Sequence, residues 1–136
     1  RAYLYILTPA GLQAKSHLTY RFLKFTLDFY NKVEAKLRQS LADMMEAGVR
    51  SLVLYGASDV ARILLGMVNG EDVEVAGVVD EDYEGEGFHG VPVVKGKHLN
   101  DLVWDGVLIT ALDGVEEAEE HLMGLGVSPD AIWKVS

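Results

Sequence analysis

The segment Leu52-Val53-Leu54-Tyr55-Gly56-Ala57-Ser58-Asp59-Val60-Ala61 carries the strongest chemical signal in this chain. Its apolar start fits a buried strand, Gly56 permits a sharp turn, and the remainder opens a helix. Such a turn aims free N–H groups and the positive end of a helix dipole at one point, where a phosphate can sit. Ala57 and Ser58 are small enough to let that phosphate approach the main chain, and the Ser58 hydroxyl can donate to it. The expected contact runs from Gly56 to Val60; alternatively Asp59 caps the helix, and its charge then opposes a phosphate there. Ala61 is small where the helix must pack closely on the strand. Ser58 stands where the glycine fingerprint of dinucleotide sites has its second glycine.

An acid completes the pattern. Val75-Ala76-Gly77-Val78-Val79 reads as a second buried strand and ends in Asp80, 24 residues after Gly56. At that spacing a carboxylate accepts hydrogen bonds from ribose hydroxyls. It would repel a 2′-phosphate, which disfavours NADP. Four more acids crowd the following loop (Glu81, Asp82, Glu84 and Glu86), and a solvated loop accounts for them better than a metal site. Further on, Thr110 and the backbone of Ala111 close another apolar strand and are expected on the floor of the same crevice.

Catalytic chemistry is poorly represented. His17, His89, His98 and His121 lack metal-ligand spacing, there is no cysteine, and no metal site is expected. Tyr20 and Lys24 have the spacing of the tyrosine–lysine pair of short-chain dehydrogenases, but they precede the glycine turn instead of following it. No nucleophile elbow, phosphate loop of the Walker type or acid–base pair is visible. No catalytic residue is assigned.

These residues need a scaffold. The chain has 136 residues, enough for one good core with an appendage. Apolar residues make up 49% and charged residues 24%, an ordinary globular composition. No apolar run reaches the roughly 18 residues of a membrane span, and no signal-peptide pattern opens the sequence. The absence of cysteine fits a cytoplasmic setting. The net charge of −9 is unevenly spread: residues 1–47 carry +3 and residues 48–136 carry −12. An acidic second segment argues against nucleic acid binding there, because phosphates would be repelled.

The two segments differ in pattern as well. Residues 1–7 alternate aromatic and aliphatic side chains and read as a strand. Thr8-Pro9 then supplies a capping hydroxyl and a first-position proline for a helix running to about Ala47, with Gly48 as its stop. Leu18, Phe22, Phe25, Phe29, Val33, Leu37, Leu41 and Met44 recur every three or four residues along it. A helix this long exceeds what a small domain can cover, so part of the stripe is expected to pack on a second copy, making a homodimer. Residues 48–136 alternate strands (about 51–55, 74–79, 106–110 and 131–135) with helices (about 58–69, 97–103 and 114–124), and 89–94 forms a short extended piece. That order predicts an α/β fold: a parallel sheet with helices on both faces, preceded by a short strand and a long dimerisation helix.

Two resemblances follow from these residues. Residues 1–38, with Leu7-Thr8-Pro9-Ala10-Gly11 leading into Phe22-Leu23-Lys24, resemble the end of a MarR-like winged-helix domain of the exopolysaccharide-associated type. The resemblance implies that 1–47 holds the last wing strand and the subunit-pairing helix. DNA would then be read only by a winged-helix portion missing from this chain. Residues 51–136 resemble the Rossmann-like domain of polysaccharide-biosynthesis and CoA-binding-like proteins, through Tyr55-Gly56-Ala57-Ser58, Gly77-Val78-Val79-Asp80, His89-Gly90-Val91-Pro92-Val93 and Leu125-Gly126-Val127. It implies NAD(H), CoA or a nucleotide-sugar as ligand. The combined expectation is the sensing and dimerisation region of a transcriptional regulator of polysaccharide genes. A fragment of an NAD-dependent sugar-nucleotide enzyme and a ligand-free dimerisation module are the alternatives.

Overall fold

The computed structural model describes residues 9–68 and 73–135. The strand expected over residues 1–7 and the helix end expected at Asn69-Gly70 lie outside the described residues. The chain divides into two compact units, Arg1–Val33 and Glu34–Ser136. A single helix, α1 (Pro9–Glu46, 38 residues), contributes to both. It is ~57 Å long at about 1.5 Å per residue. No helix among the described residues is long and apolar enough to cross a membrane.

In the first unit, a run of aromatic and leucine side chains of α1 is left outside. Tyr20, Phe22, Leu23, Phe25, Leu27 and Phe29 are all exposed, Phe25 by 71%. In the second unit, the same helix behaves as a core element. Leu37, Ser40 and Met44, spaced three and four apart, are fully or nearly fully buried. Ser40 Oγ donates to the Lys134 carbonyl at 3.4 Å. The apolar periodicity that reads as one continuous stripe therefore divides into an exposed part and a part buried within the second unit.

Gly48 ends α1 as expected. Its φ of 98° is left-handed, the Gly48 N–H donates to Met45 O at 3.0 Å, and the Val49 N–H donates to Met44 O at 2.9 Å. This is a Schellman closure, which satisfies carbonyls that the helix leaves open. The chain can then turn directly into the sheet.

Six strands follow: β1 (Ser51–Tyr55), β2 (Glu74–Val79), β3 (Gly87–Phe88), β4 (Val91–Val94), β5 (Gly106–Ile109) and β6 (Ile132–Lys134), in the spatial order β3-β4-β2-β1-β5-β6. All neighbours run parallel except β3 and β4. The sheet is thus mixed, where a parallel one is expected from the strand–helix alternation. The cause is local. His89 (φ 48°) and Gly90 (φ 90°) both adopt positive φ, which makes a two-residue hairpin turn and folds β3 back on β4. The helix expected over 97–103 is a 3₁₀ helix at Gly96–Asp101.

Two α-helices connect the parallel strands: α2 (Asp59–Met67) between β1 and β2, and α3 (Val115–Gly124) between β5 and β6. The two connections step in opposite directions across the sheet. Right-handed crossovers therefore put α2 and α3 on opposite faces. Burial agrees with this: Val53, Val79, Val107 and Ile109 form a cluster with Ala118 and Leu122 of α3. Leu54, Val78 and Leu108, one residue out of step, are also completely buried and point to the other face. There α2 contributes Val60, Ala61, Ile63 and Leu64 as its buried residues.

Candidate functional site

The order of the sheet creates the site. From β1 the chain crosses to β2 on one side, and β5 pairs with β1 on the other. At such a reversal the loops leaving the carboxyl ends of the strands part and open a crevice. A cavity of about 300 Å³ lies there, bounded by Tyr55 to Ser58, Val79 to Asp82, Ala111 and Asp113. Five of the eight residues singled out from the sequence, Gly56, Ala57, Ser58, Asp80 and Ala111, line it.

Gly56 is required at its position. Its φ is 115°, and a Cβ there would sit 3.0 Å from the Ala111 nitrogen and 3.1 Å from its Cα. The turn leaving β1 thus passes directly against the backbone leaving β5, and no side chain fits between them. Gly56 N–H donates to Val79 O at 2.9 Å, and Thr110 N–H donates to Tyr55 O at 3.0 Å. The three strand ends are tied at one level.

Ser58 caps α2. Its Oγ accepts from the Ala61 N–H at 3.2 Å and donates to the Thr110 carbonyl at 2.5 Å. The hydroxyl expected to meet a phosphate is therefore engaged within the protein. Thr110 is 1% exposed and lies beneath the cavity. Its Oγ1 donates to Gly56 O at 2.7 Å, with Tyr55 O at 3.2 Å, so it braces the turn from below. Val60 is buried in the core, and Asp59 is exposed and paired with Arg62 at 3.2 Å. Neither side chain lines the cavity. The N–H groups of Asp59 and Val60 stand at the start of α2, where no preceding helical carbonyl can accept from them.

Asp80 is the most heavily used acid. Its Oδ2 accepts from the Ala57 N–H at 2.8 Å, while Oδ1 accepts from the Asp82 and Tyr83 N–H groups at 2.9 and 3.0 Å. The carboxylate joins the glycine turn to the loop after β2. One lone-pair direction on Oδ2 stays available to a hydroxyl. Lys95 reinforces the loop, its Nζ donating to the carbonyls of Glu81 at 2.6 Å and Tyr83 at 3.2 Å.

The electrostatics of the cavity are one-sided. Asp80, Glu81, Asp82 and Asp113 line it, and among the described residues no lysine, arginine or histidine does. Burial raises the pKa of the Tyr55 phenol, and the charges of Glu81, Asp80 and Asp82 add to that shift. Tyr55 therefore stays protonated and acts as a hydrogen-bond donor. Its hydroxyl lies 2.6 Å from Nδ1 of His121 on α3, with the rings edge to face. On the other side of the imidazole, Nε2 is 3.5 Å from Glu81 Oε2. A proton on Nε2 satisfies both contacts.

Sequence reasoning treats His121 as an isolated histidine, and only the packing of α3 brings it to Tyr55 and Glu81. Asp113 and Glu81 are likewise gathered by topology, Glu81 directly after Asp80 and Asp113 two residues after Ala111. Among the described residues no group of three or more histidine, aspartate or glutamate side chains is arranged to hold a metal ion. The Gly56 and Ala57 N–H groups at the turn are already engaged, by the Val79 carbonyl and by Asp80, so the donors left here are those of Asp59 and Val60 at the start of α2.

Together these features define a doubly wound α/β domain with a crevice at the reversal point of its sheet. The chain belongs to the C2185-like N-terminal family, whose sequence profile matches residues 49–133. The match runs from just before β1 through most of β6 and leaves α1 outside. No curated protein matches the chain.

Proposed function

We propose that this chain is the ligand-sensing and dimerisation region of a cytoplasmic transcriptional regulator, and that a nucleotide, dinucleotide or nucleotide-sugar binds in the crevice. The observation that carries this reading is the convergence of Gly56, Ala57, Ser58, Asp80 and Ala111 on one cavity at the sheet's reversal point. Ligands of open α/β sheets bind at such points. Asp80 would receive ribose hydroxyls, and the start of α2 would face the phosphate. The exposed aromatic face of α1 supports self-association, since contiguous apolar surface on a helix needs a cover. The link to polysaccharide genes, and to DNA through a winged-helix portion outside this chain, rests on the resemblance of residues 1–38 and 51–136.

Calorimetry with NAD, NADH, CoA, UDP-sugars and GDP-sugars tests the ligand. Binding of at least one is expected, and heat from none of them contradicts the proposal. A second reading draws on a specific observation. Ser58 is bonded to the Thr110 carbonyl, and Asp80 and Thr110 are bonded to the turn at Ala57 and Gly56, which also suits a ligand-free dimerisation module. In that case substitutions at Gly56 would change stability alone.

A further inference from the structure

We propose that His121 couples the crevice to α3, so that a ligand hydroxyl or amine attracted to Glu81 is registered by that helix. This inference rests on the reading of the crevice as a ligand site. Tyr55 and Glu81 both line the cavity, yet they come from different elements, and the imidazole of His121 sits between them. The two contacts are unequal. The Tyr55 hydroxyl is held at 2.6 Å, whereas Glu81 Oε2 is 3.5 Å away and also accepts the Gly96 N–H at 3.1 Å.

A ligand donor reaching Glu81 therefore competes with the weak contact and spares the strong one. Two arrangements of His121 result: bridged between Tyr55 and Glu81, or held by Tyr55 alone. The junction is tight enough for that difference to matter. A Cβ at Gly96 would lie 2.5 Å from Glu81 Oε2, 2.9 Å from Leu125 Cδ1 and 3.2 Å from His121 Cε1. The last turn of α3 closes on the same residue, with the Leu125 N–H donating to the His121 carbonyl at 3.1 Å. The neighbouring Leu122 is completely buried in the core. A ligand shifts such an equilibrium only through its unequal affinity for the two arrangements. Here the difference is the hydrogen bond to Glu81.

The test uses amide chemical shifts of the whole chain. Glu81→Gln should move the amides of residues 121–125. The shift should vanish in a His121→Asn background, where the shorter amide can accept from Tyr55 but cannot reach residue 81. If Glu81→Gln leaves residues 121–125 unmoved, or moves them equally in both backgrounds, the coupling is overturned. In a second arm, UDP-glucose and NAD are titrated into wild type and His121→Asn. Shifts at residues 56–60 and 80–83 should appear in both, with those at 121–125 confined to wild type, and equal shifts at 121–125 in both overturn the proposal. If neither probe moves residues 56–60 or 80–83, the ligand reading itself fails, and any regulatory use of the contact fails with it. The substitution arm reports the bridge separately.

Discussion

The carboxylate of Asp80 is hydrogen-bonded at 2.8 Å to the backbone N–H of Ala57. An acid at the end of β2 thereby fixes the glycine turn at the end of β1, and its other oxygen holds the Asp82 and Tyr83 N–H groups. One side chain sets the geometry of both walls of the crevice. Asp80→Asn should therefore be felt in stability as well as in binding. An amide cannot offer two acceptor oxygens, so at least one N–H loses its partner. A loss of about 1.5–3 kcal/mol is expected in urea denaturation, the range for a hydrogen bond to a charged group.

Gly56 tests the turn from the other side. Gly56→Ala places a Cβ about 3 Å from the Ala111 backbone and forces an L residue to positive φ. A destabilisation of roughly 1–3 kcal/mol should follow, in the range for a strained backbone position. Gly48→Ala, where nothing lies within 4 Å of the added carbon, should cost less because only the φ penalty applies. Thermal denaturation of the two variants side by side checks the order.

Self-association and folding separate along α1. Phe25 is 71% exposed and Leu37 is 0% exposed, although both belong to the same sequence stripe. Phe25→Asp should weaken self-association in sedimentation while changing the stability of the second unit by less than about 0.5 kcal/mol. Leu37→Asp should instead unfold that unit, because a buried charge without a partner costs several kcal/mol. Equal sedimentation of wild type and Phe25→Asp would contradict the role given to this face.

The raised pKa of the Tyr55 phenol makes a pH prediction. The folded protein holds this proton more tightly than the unfolded chain does, so the folded state binds more protons above the ordinary tyrosine value of about 10. Stability from this group is complete below that pH and is lost as pH rises through the folded value. Wild type should therefore lose stability more steeply than Tyr55→Phe above about pH 10. Parallel curves for the two proteins would count against the burial and the acidic surroundings as its cause.

Much of the fold is legible in the sequence because its signals are local. β1 and β2 lie where their apolar runs predict, Pro9 opens α1 and Gly48 closes it, whereas the cap of α2 is Ser58, expected to meet a phosphate, and not Asp59. The two-residue strand β3 is hidden, since Gly87-Phe88 has no room for an alternating pattern and follows a run of acids and glycines. The short 3₁₀ helix at Gly96–Asp101 differs from an α-helix only in hydrogen-bond partner, which spacing does not encode. In the site, sequence separation places Asp80 beside the turn but is silent on which donors it takes. Thr110 goes beneath the crevice instead of onto its floor because its hydroxyl finds the carbonyl of Gly56. His121 has no signal of its own, and its partners are 40 and 66 residues away in the chain.

The central claim is that the crevice at Gly56 and Asp80 binds a nucleotide-type ligand. The most direct measurement is calorimetric titration of NAD, NADH, CoA, UDP-sugars and GDP-sugars into wild type and Gly56→Val, with folding of both verified by circular dichroism. The account predicts saturable heat from at least one of these ligands with wild type, and none with the folded variant. Absence of heat from every ligand with wild type, or an undiminished signal with the variant, would contradict it.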